Sequence, residues 1–355
     1  METHLIGQEL DQVTQENYKN EYISKLNRIT LETTYDCNLH CKMCFLHGDN
    51  GVEDKGLISK NTNYMSLEEY NLLLDDIKCF QPHVPITITG GEAFMRSDCI
   101  DICKAVSNHG FPLTVATNGT LISDQDIEVL KQINAKVILS LDGTESINDF
   151  IRGKGTFEIV TSVAEKMKKS DINFHFNFTI SCMNYKDIYN FAKYCSEHDY
   201  NISFEHLWFT DEFESNEHAK SIKTIFGCEN DPKLNGFINE FNLLDTNQLK
   251  EQIKKVLLDK SLTNTIAFFP ALKLCELDPY YNDLHGYVHS EKCYYHFSHL
   301  RINPYGEVVP CVGNSMGNVN KTYISDIING PNYNAFRKKL KEIGLFPNCR
   351  RCCKL

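Results

Sequence analysis

Cys37-Asn-Leu-His-Cys41-Lys-Met-Cys44 sets three thiols within eight residues, and Cys293, Cys311, Cys349, Cys352 and Cys353 form a second group near the other end. Thiolates are ligands for soft metals. Structural zinc normally closes around four ligands, often paired C-x2-C knuckles. The C-x3-C-x2-C spacing instead lets one loop wrap three corners of a cubane cluster and leaves the fourth iron open. A zinc half-site and chance clustering are the competing readings, and His40 and His47 flank the loop as weaker candidate ligands. In the second group a C-x12-G-x4-C pattern spans Cys293, Gly306 and Cys311, placing two thiols beside a hairpin with glycine in its turn. The C-x2-C of Cys349 and Cys352 brings the count to four ligands, enough for a cluster or a tetrahedral zinc.

The composition bounds what such sites serve. The 355 residues carry 36 Lys and Arg against 47 Asp and Glu, a net −11 that argues against nucleic-acid binding. At 42% hydrophobic and 23% charged the chain reads as globular, which excludes disorder and coiled coil. The first ten residues have no basic stretch followed by an apolar one, so no export signal is read. No run approaches the ~18 apolar residues of a membrane span. A cytoplasmic location follows, where fifteen cysteines are read as ligands or packing residues before disulfides.

Apolar periodicity predicts strands over 28–34, 86–89, 112–117, 136–141, 173–180 and 202–209. Helices are predicted over 66–80, 97–109, 123–133, 157–169 and 185–198, several opened by a capping serine such as Ser66 or Ser123. This alternation implies an α/β fold with a parallel sheet, either open or an incomplete barrel. Residues 1–27 read as a polar, helical extension, 28–210 as the α/β domain, and 211–289 as helices and loops without a strand. Residues 290–355 read as a small domain with a hairpin (299–303 and 307–311) and a helix over 333–343.

Further motifs stand where the strands end. Gly90-Gly91-Glu92 follows the second strand and Thr117-Asn118-Gly119 the third. Ser140-Leu-Asp142-Gly143 closes the fourth, and Ile151-Arg152-Gly153-Lys-Gly155-Thr-Phe157 opens the next helix. With the three cysteines, in this order, the chain resembles the radical S-adenosylmethionine (SAM) superfamily. The last two motifs and the C-terminal cysteines resemble the subgroup with a SPASM/twitch-type auxiliary iron–sulfur domain. Met43 and Ala93 depart from the family's usual aromatic and proline.

The resemblance implies a partial (β/α)6 TIM-like barrel and two 4Fe–4S clusters. Cys37, Cys41 and Cys44 would hold the SAM-cleaving cluster. Gly90 and Gly91 would give close backbone approach, Glu92 would take the amino group of SAM, Ser140 its ribose and Arg152 its carboxylate. Asn118 and Asp142 join these cofactor positions. Cys293, Cys311, Cys349 and Cys352, with Cys353 the alternative to Cys352, would hold the auxiliary cluster; a full SPASM domain needs more cysteines, so the shorter twitch type is expected. The implied chemistry is reductive cleavage of SAM to a 5′-deoxyadenosyl radical that takes a substrate hydrogen atom. A flavodoxin- or ferredoxin-type protein would donate the electron.

Cys182 and Cys275 are candidate hydrogen donors, Glu205 and His206 candidate bases, and Tyr280, Tyr281, Tyr287, Tyr294 and Tyr295 candidate cleft residues. The favoured function is maturation of a peptide by crosslinking, epimerisation or oxidation. Twenty-seven residues before the first strand are too few for a leader-binding domain, so recognition would fall to the middle segment or a separate partner. The alternatives are a dehydrogenase or epimerase of a sugar, cyclitol or other small metabolite, and a non-catalytic iron–sulfur electron carrier.

Overall fold

The structure, a computed structural model, describes residues 11–49, 51–53, 55–56, 63–229, 231–240, 242–311 and 313–355. The first ten residues of the expected N-terminal extension lie outside these. After helix α1 (Gln12–Asn20), strands and helices alternate: β1 (Arg28–Glu32), α2 (Leu67–Phe80), β2 (Ile86–Thr89), α3 (Cys99–Asn108) and β3 (Leu113–Thr117). The series continues with α4 (Asp124–Gln132), β4 (Lys136–Ser140), α5 (Glu145–Arg152), α6 (Thr156–Lys169), β5 (Phe174–Ile180), α7 (Ile188–Glu197) and β6 (Asn201–His206). Ser66 with Glu69, and Ser123 with Asp126, close reciprocal capping boxes at the starts of α2 and α4. Then come α8 (Glu212–Phe226), α9 (Thr246–Leu258), β7 (Ile266–Phe269), α10 (Leu277–Asn282), β8 (His299–Ile302), β9 (Glu307–Val308), β10 (Gly317–Asn318), α11 (Ile324–Ile328) and α12 (Pro331–Ile343).

The ten strands among the described residues join one sheet in the order β10-β9-β8-β1-β2-β3-β4-β5-β6-β7, with β8 and β1 to β7 parallel throughout. Three expectations change. The middle segment, read as strandless, supplies β7 on the flank of β6. The hairpin extends the main sheet, because β8 pairs in parallel with β1. Arg152 ends a helix, α5, that the periodicity did not show, and α6 begins only at Thr156.

Register places residues of two kinds on opposite faces. Ile29, Ile86, Leu113, Val137, Phe174 and their neighbours lie on the helix-covered face, where Leu31, Ile88, Val115, Leu139 and Phe176 are fully buried. Each such side chain stabilises the fold by roughly 1.5–3 kcal/mol. The other face aligns Thr30, Thr87 and Thr114, and further round Ser140, Asn177 and Ser203. That face is rolled inward. The loop after β1 meets the helix after β4, three strands away, where the Lys42 N–H donates to the Ile151 carbonyl at 3.0 Å, although a flat sheet would hold those strands ~14 Å apart at ~4.8 Å per strand. A partial barrel with a polar interior is the result.

Candidate functional site

All fifteen cysteines are free thiols. The first three leave the C-terminal end of β1, where parallel α/β folds place their ligands. Cys37, Cys41 and Cys44 are half-buried and within electrostatic reach of one another, and burial pushes the Cys41 thiol up to about 12. Tyr35, Leu46 and Val52 pack as a small apolar cluster under the loop. His47 pins it from within: Nδ1 meets Glu53 Oε2 at 2.5 Å and Nε2 meets the Tyr35 carbonyl at 2.7 Å. A Cβ at Gly48 would stand 2.4 Å from the Cys41 carbonyl, so the chain closes back on itself only with glycine there.

Neighbouring strand ends fix this loop. Glu92, 1% exposed, accepts at Oε1 from Thr117 Oγ1 (2.7 Å) and the Phe94 N–H (3.0 Å), and at Oε2 from the Asn118 N–H (2.6 Å). Three of its roughly four lone-pair sites are thus taken by the chain. Burial raises its pKa against these hydrogen bonds. The space of a Cβ at Gly90 or Gly91 is filled by the Thr34 and Asp36 carbonyls, each 2.4 Å away. These glycines therefore let the loop after β2 pack on the loop after β1. Asn118 Nδ2 donates to Asn38 Oδ1 at 2.9 Å and points at Cys37 Sγ, 3.9 Å away.

Arg152 stands beside Cys41, its Nη1 3.8 Å from Sγ, while its Nε is 2.6 Å from Asp142 Oδ2. This ionic contact is too bent to count as a hydrogen bond for either atom. Asp142 is fully buried and also accepts from the Thr179 N–H at 2.7 Å. Desolvation raises its carboxyl, and the guanidinium partly offsets that. Ser140 is half-buried on the polar face.

The second group is drawn together from three segments. Cys349 lies within electrostatic reach of Cys293 and Cys311, and Cys311 of Cys353. The Cys352 thiol hydrogen-bonds to Cys353, which holds the first up and the second down. Burial raises Cys293 to about 12. Between the terminal cysteines Arg351, fully buried, donates to the Tyr280, Asp283 and Tyr287 carbonyls and caps the end of α10. Among the described residues no three His, Cys, Asp or Glu side chains stand close enough to share a single metal ion.

Of the other candidates, His206 is corrected. It lies on the apolar face, 2% exposed, with Nδ1 2.6 Å from the Tyr281 hydroxyl and its ring against Tyr280 and Tyr281. Desolvation holds it neutral, down at about 3, so it does not face a substrate in the barrel. Tyr280 and Tyr281 are likewise buried packing residues and line no cleft. Glu205, one residue earlier and on the opposite face, pairs with Lys354 at 3.0 Å. Cys182 is half-buried just past β5, and Cys275 is exposed ahead of α10. Sequence reasoning missed Arg301, whose Nε donates to Glu32 Oε1 at 2.8 Å, and also Lys354 and Trp208. Trp208 donates to the Asn348 carbonyl at 2.8 Å and stacks on Phe237, which stacks on Phe45 next to Cys44.

Comparison with known proteins bears on both groups. Residues 31–195 match the radical SAM superfamily, and residues 293–353 match SPASM, an iron–sulfur cluster-binding domain. The Fe-coproporphyrin III synthase of Methanosarcina barkeri is 32% identical over 157 residues, 44% of this chain and 37% of that protein. The sporulation killing factor maturation protein SkfB of Bacillus subtilis is 25% identical over 169 residues, 47% of this chain and 39% of SkfB. The chain thus spans less than half the length of these curated relatives. In fold it is similar to Streptococcus suis SuiB bound to its precursor peptide SuiA, with a TM-score of 0.66 at 17% identity, covering 95% of this chain and 73% of SuiB. No described helix is long and apolar enough to cross a membrane. The two matched regions coincide with the two cysteine groups, and the chain belongs to the radical SAM superfamily, with a SPASM-type iron–sulfur domain following its barrel.

Proposed function

We propose that the chain is a radical SAM enzyme that takes a hydrogen atom from a peptide substrate held in the polar barrel. Cys37, Cys41 and Cys44 would hold the first 4Fe–4S cluster, and Cys293, Cys311, Cys349 and either Cys352 or Cys353 the second. The donor chemistry fits: three thiols stand grouped on one loop, burial raises the pKa of Cys37 and Cys41, and thiols release their protons to a bound metal. When bound, the cluster and SAM supply an electron and a 5′-deoxyadenosyl radical. The chain supplies position. Arg152, paired with Asp142, places a fixed positive charge beside Cys41 and would hold the carboxylate of SAM. Glu92 acts through its hydrogen bonds, latching the loops after β1, β2 and β3 into one rim.

The observation that carries the peptide reading is the composition of the inner face. Thr30, Thr87, Thr114, Ser140, Asn177 and Ser203 offer neutral hydrogen-bonding groups beside Arg28 and His175, and the charges of Glu32 and Glu205 are already paired. Such a wall satisfies amide groups without requiring a charged substrate. The likeness to SkfB supports this reading. The likeness to Fe-coproporphyrin III synthase favours the second reading, a small metabolite.

Anaerobic reconstitution tests the first claim: about eight irons per chain are expected for two 4Fe–4S clusters. With dithionite and SAM the protein should release 5′-deoxyadenosine, and Cys41→Ala should not. Release unchanged in that variant ends the reading. Deuterium transfer from labelled peptide, against labelled sugars and porphyrins, then decides the substrate class.

A further inference from the structure

Two carboxylates rise from the polar face at the flanks of the six-strand barrel, Glu32 at the end of β1 and Glu205 near the end of β6. Each holds a cation that belongs to the C-terminal cysteine region. Glu32 takes Arg301 of β8, and Glu205 takes Lys354. Both cations are tied to the thiols as well. The Arg301 carbonyl accepts from the Val309 N–H at 3.0 Å, two residues before Cys311. Lys354 follows Cys353 directly, and its own N–H donates to Cys352 Sγ at 3.4 Å. Cys311 feels both positive charges.

We propose that Glu32 and Glu205 are positioning residues for the second cluster, each fastening one cation between the barrel wall and the thiolates so that the barrel sets that cluster's reduction potential. The inference rests on the two-cluster reading above. A cluster held by four thiolates is negative and becomes more so when it accepts an electron, and net charge and surroundings set its potential. The cations favour the reduced form, and the carboxylates oppose them. Glu205 is then no free base, since its charge is committed to Lys354.

The signs make this testable by redox titration of the reconstituted protein with dithionite, following the second cluster by electron paramagnetic resonance. Lys354→Met should lower its midpoint by about the 59 mV that a tenfold change in a one-electron equilibrium represents. Glu205→Gln should raise it by a similar amount, and Lys354→Arg should restore the wild-type value. If Lys354→Met does not retain its iron, Glu205→Gln and Glu32→Gln, which keep every cysteine and both cations, carry the test with the same upward sign. Midpoints that stay put, carboxylate variants that move downward, or a Lys354→Met shift in the same direction as theirs overturn the inference while eight irons per chain leave the two-cluster reading standing. Only about four irons in the wild-type protein overturn both.

Discussion

The two cysteine groups are built in opposite ways. The first takes its thiols from one loop and borrows everything else from strand ends: Glu92 after β2, Asn118 after β3, Asp142 and Arg152 after β4. The second gathers five thiols spread over residues 293–353, and its cysteine-dense end is pinned by Arg351 on backbone carbonyls. One is a rim whose loops hydrogen-bond to one another through protein groups. The other draws on three segments distant in sequence, which a bound metal would cross-link. The difference is between a place to bind and a means of folding.

Stability should separate them most. Structural metal sites contribute on the order of 10 kcal/mol to the folding of the segments they organise. In reconstituted protein, Cys349→Ala should therefore lower the thermal midpoint far more than Cys37→Ala, as read by calorimetry under anaerobic conditions. Equal losses would erase the contrast.

Next in size are the ion pairs. Asp142 is fully buried and the Arg152 side chain only 10% exposed. Arg152→Met leaves an uncompensated buried carboxylate and should cost about 3–5 kcal/mol in urea unfolding. At the second site the Lys354 and Glu205 side chains are 47% and 26% exposed, and Lys354→Met should change apoprotein stability by only about 0–1 kcal/mol. Its effect belongs in the redox potential instead.

Glu92→Gln gives a smaller, sharper result. One amide N–H₂ must face the Thr117 hydroxyl and Phe94 N–H or the Asn118 N–H, and an opposed buried donor costs about 1–3 kcal/mol. The same variant should retain iron at the second site. Loss there too would mean that the rim and the C-terminal region form one cooperative unit.

How far the sequence discloses each region follows from this difference. The first three thiols fall within eight residues, so spacing alone exposes them, and Ser66 and Ser123 announce their helices. The polar inner face was also open to reading. Arg28-Ile-Thr-Leu-Glu32 and Ile86-Thr-Ile-Thr89 alternate, whereas parallel strands covered on both faces run continuously apolar. What local pattern cannot show is partnership. Ile-Ala-Phe-Phe is too short to declare itself as β7, and nothing near 299–302 says that β8 will lie beside β1. Arg301 and Lys354 look like surface charges until the sheet rolls and brings Glu32 and Glu205 to them.

Acid should also distinguish the regions, through opposite signs. Near the second group His296 is 5% exposed and held neutral, its pKa pushed down to about 3 by burial, and His206 behaves alike. Unfolding frees both to bind protons near their ordinary value of about 6.5. Their stabilisation is therefore complete above pH ~6.5 and is lost as pH falls toward 3, by about 1.4 kcal/mol per pH unit per histidine. Glu92 at the first rim runs the other way. Burial raises its carboxyl, so its contribution is complete below its ordinary 4.5 and is lost as pH rises through the folded value. Urea midpoints of the apoprotein between pH 7 and 4.5 should thus fall as pH falls. His296→Gln should make that slope shallower, because one of the protons that the burial-depressed histidines His175, His206, His289, His296 and His299 take up on unfolding is then gone. A slope unchanged in His296→Gln would place the acid sensitivity elsewhere and dissolve the electrostatic contrast between the two regions.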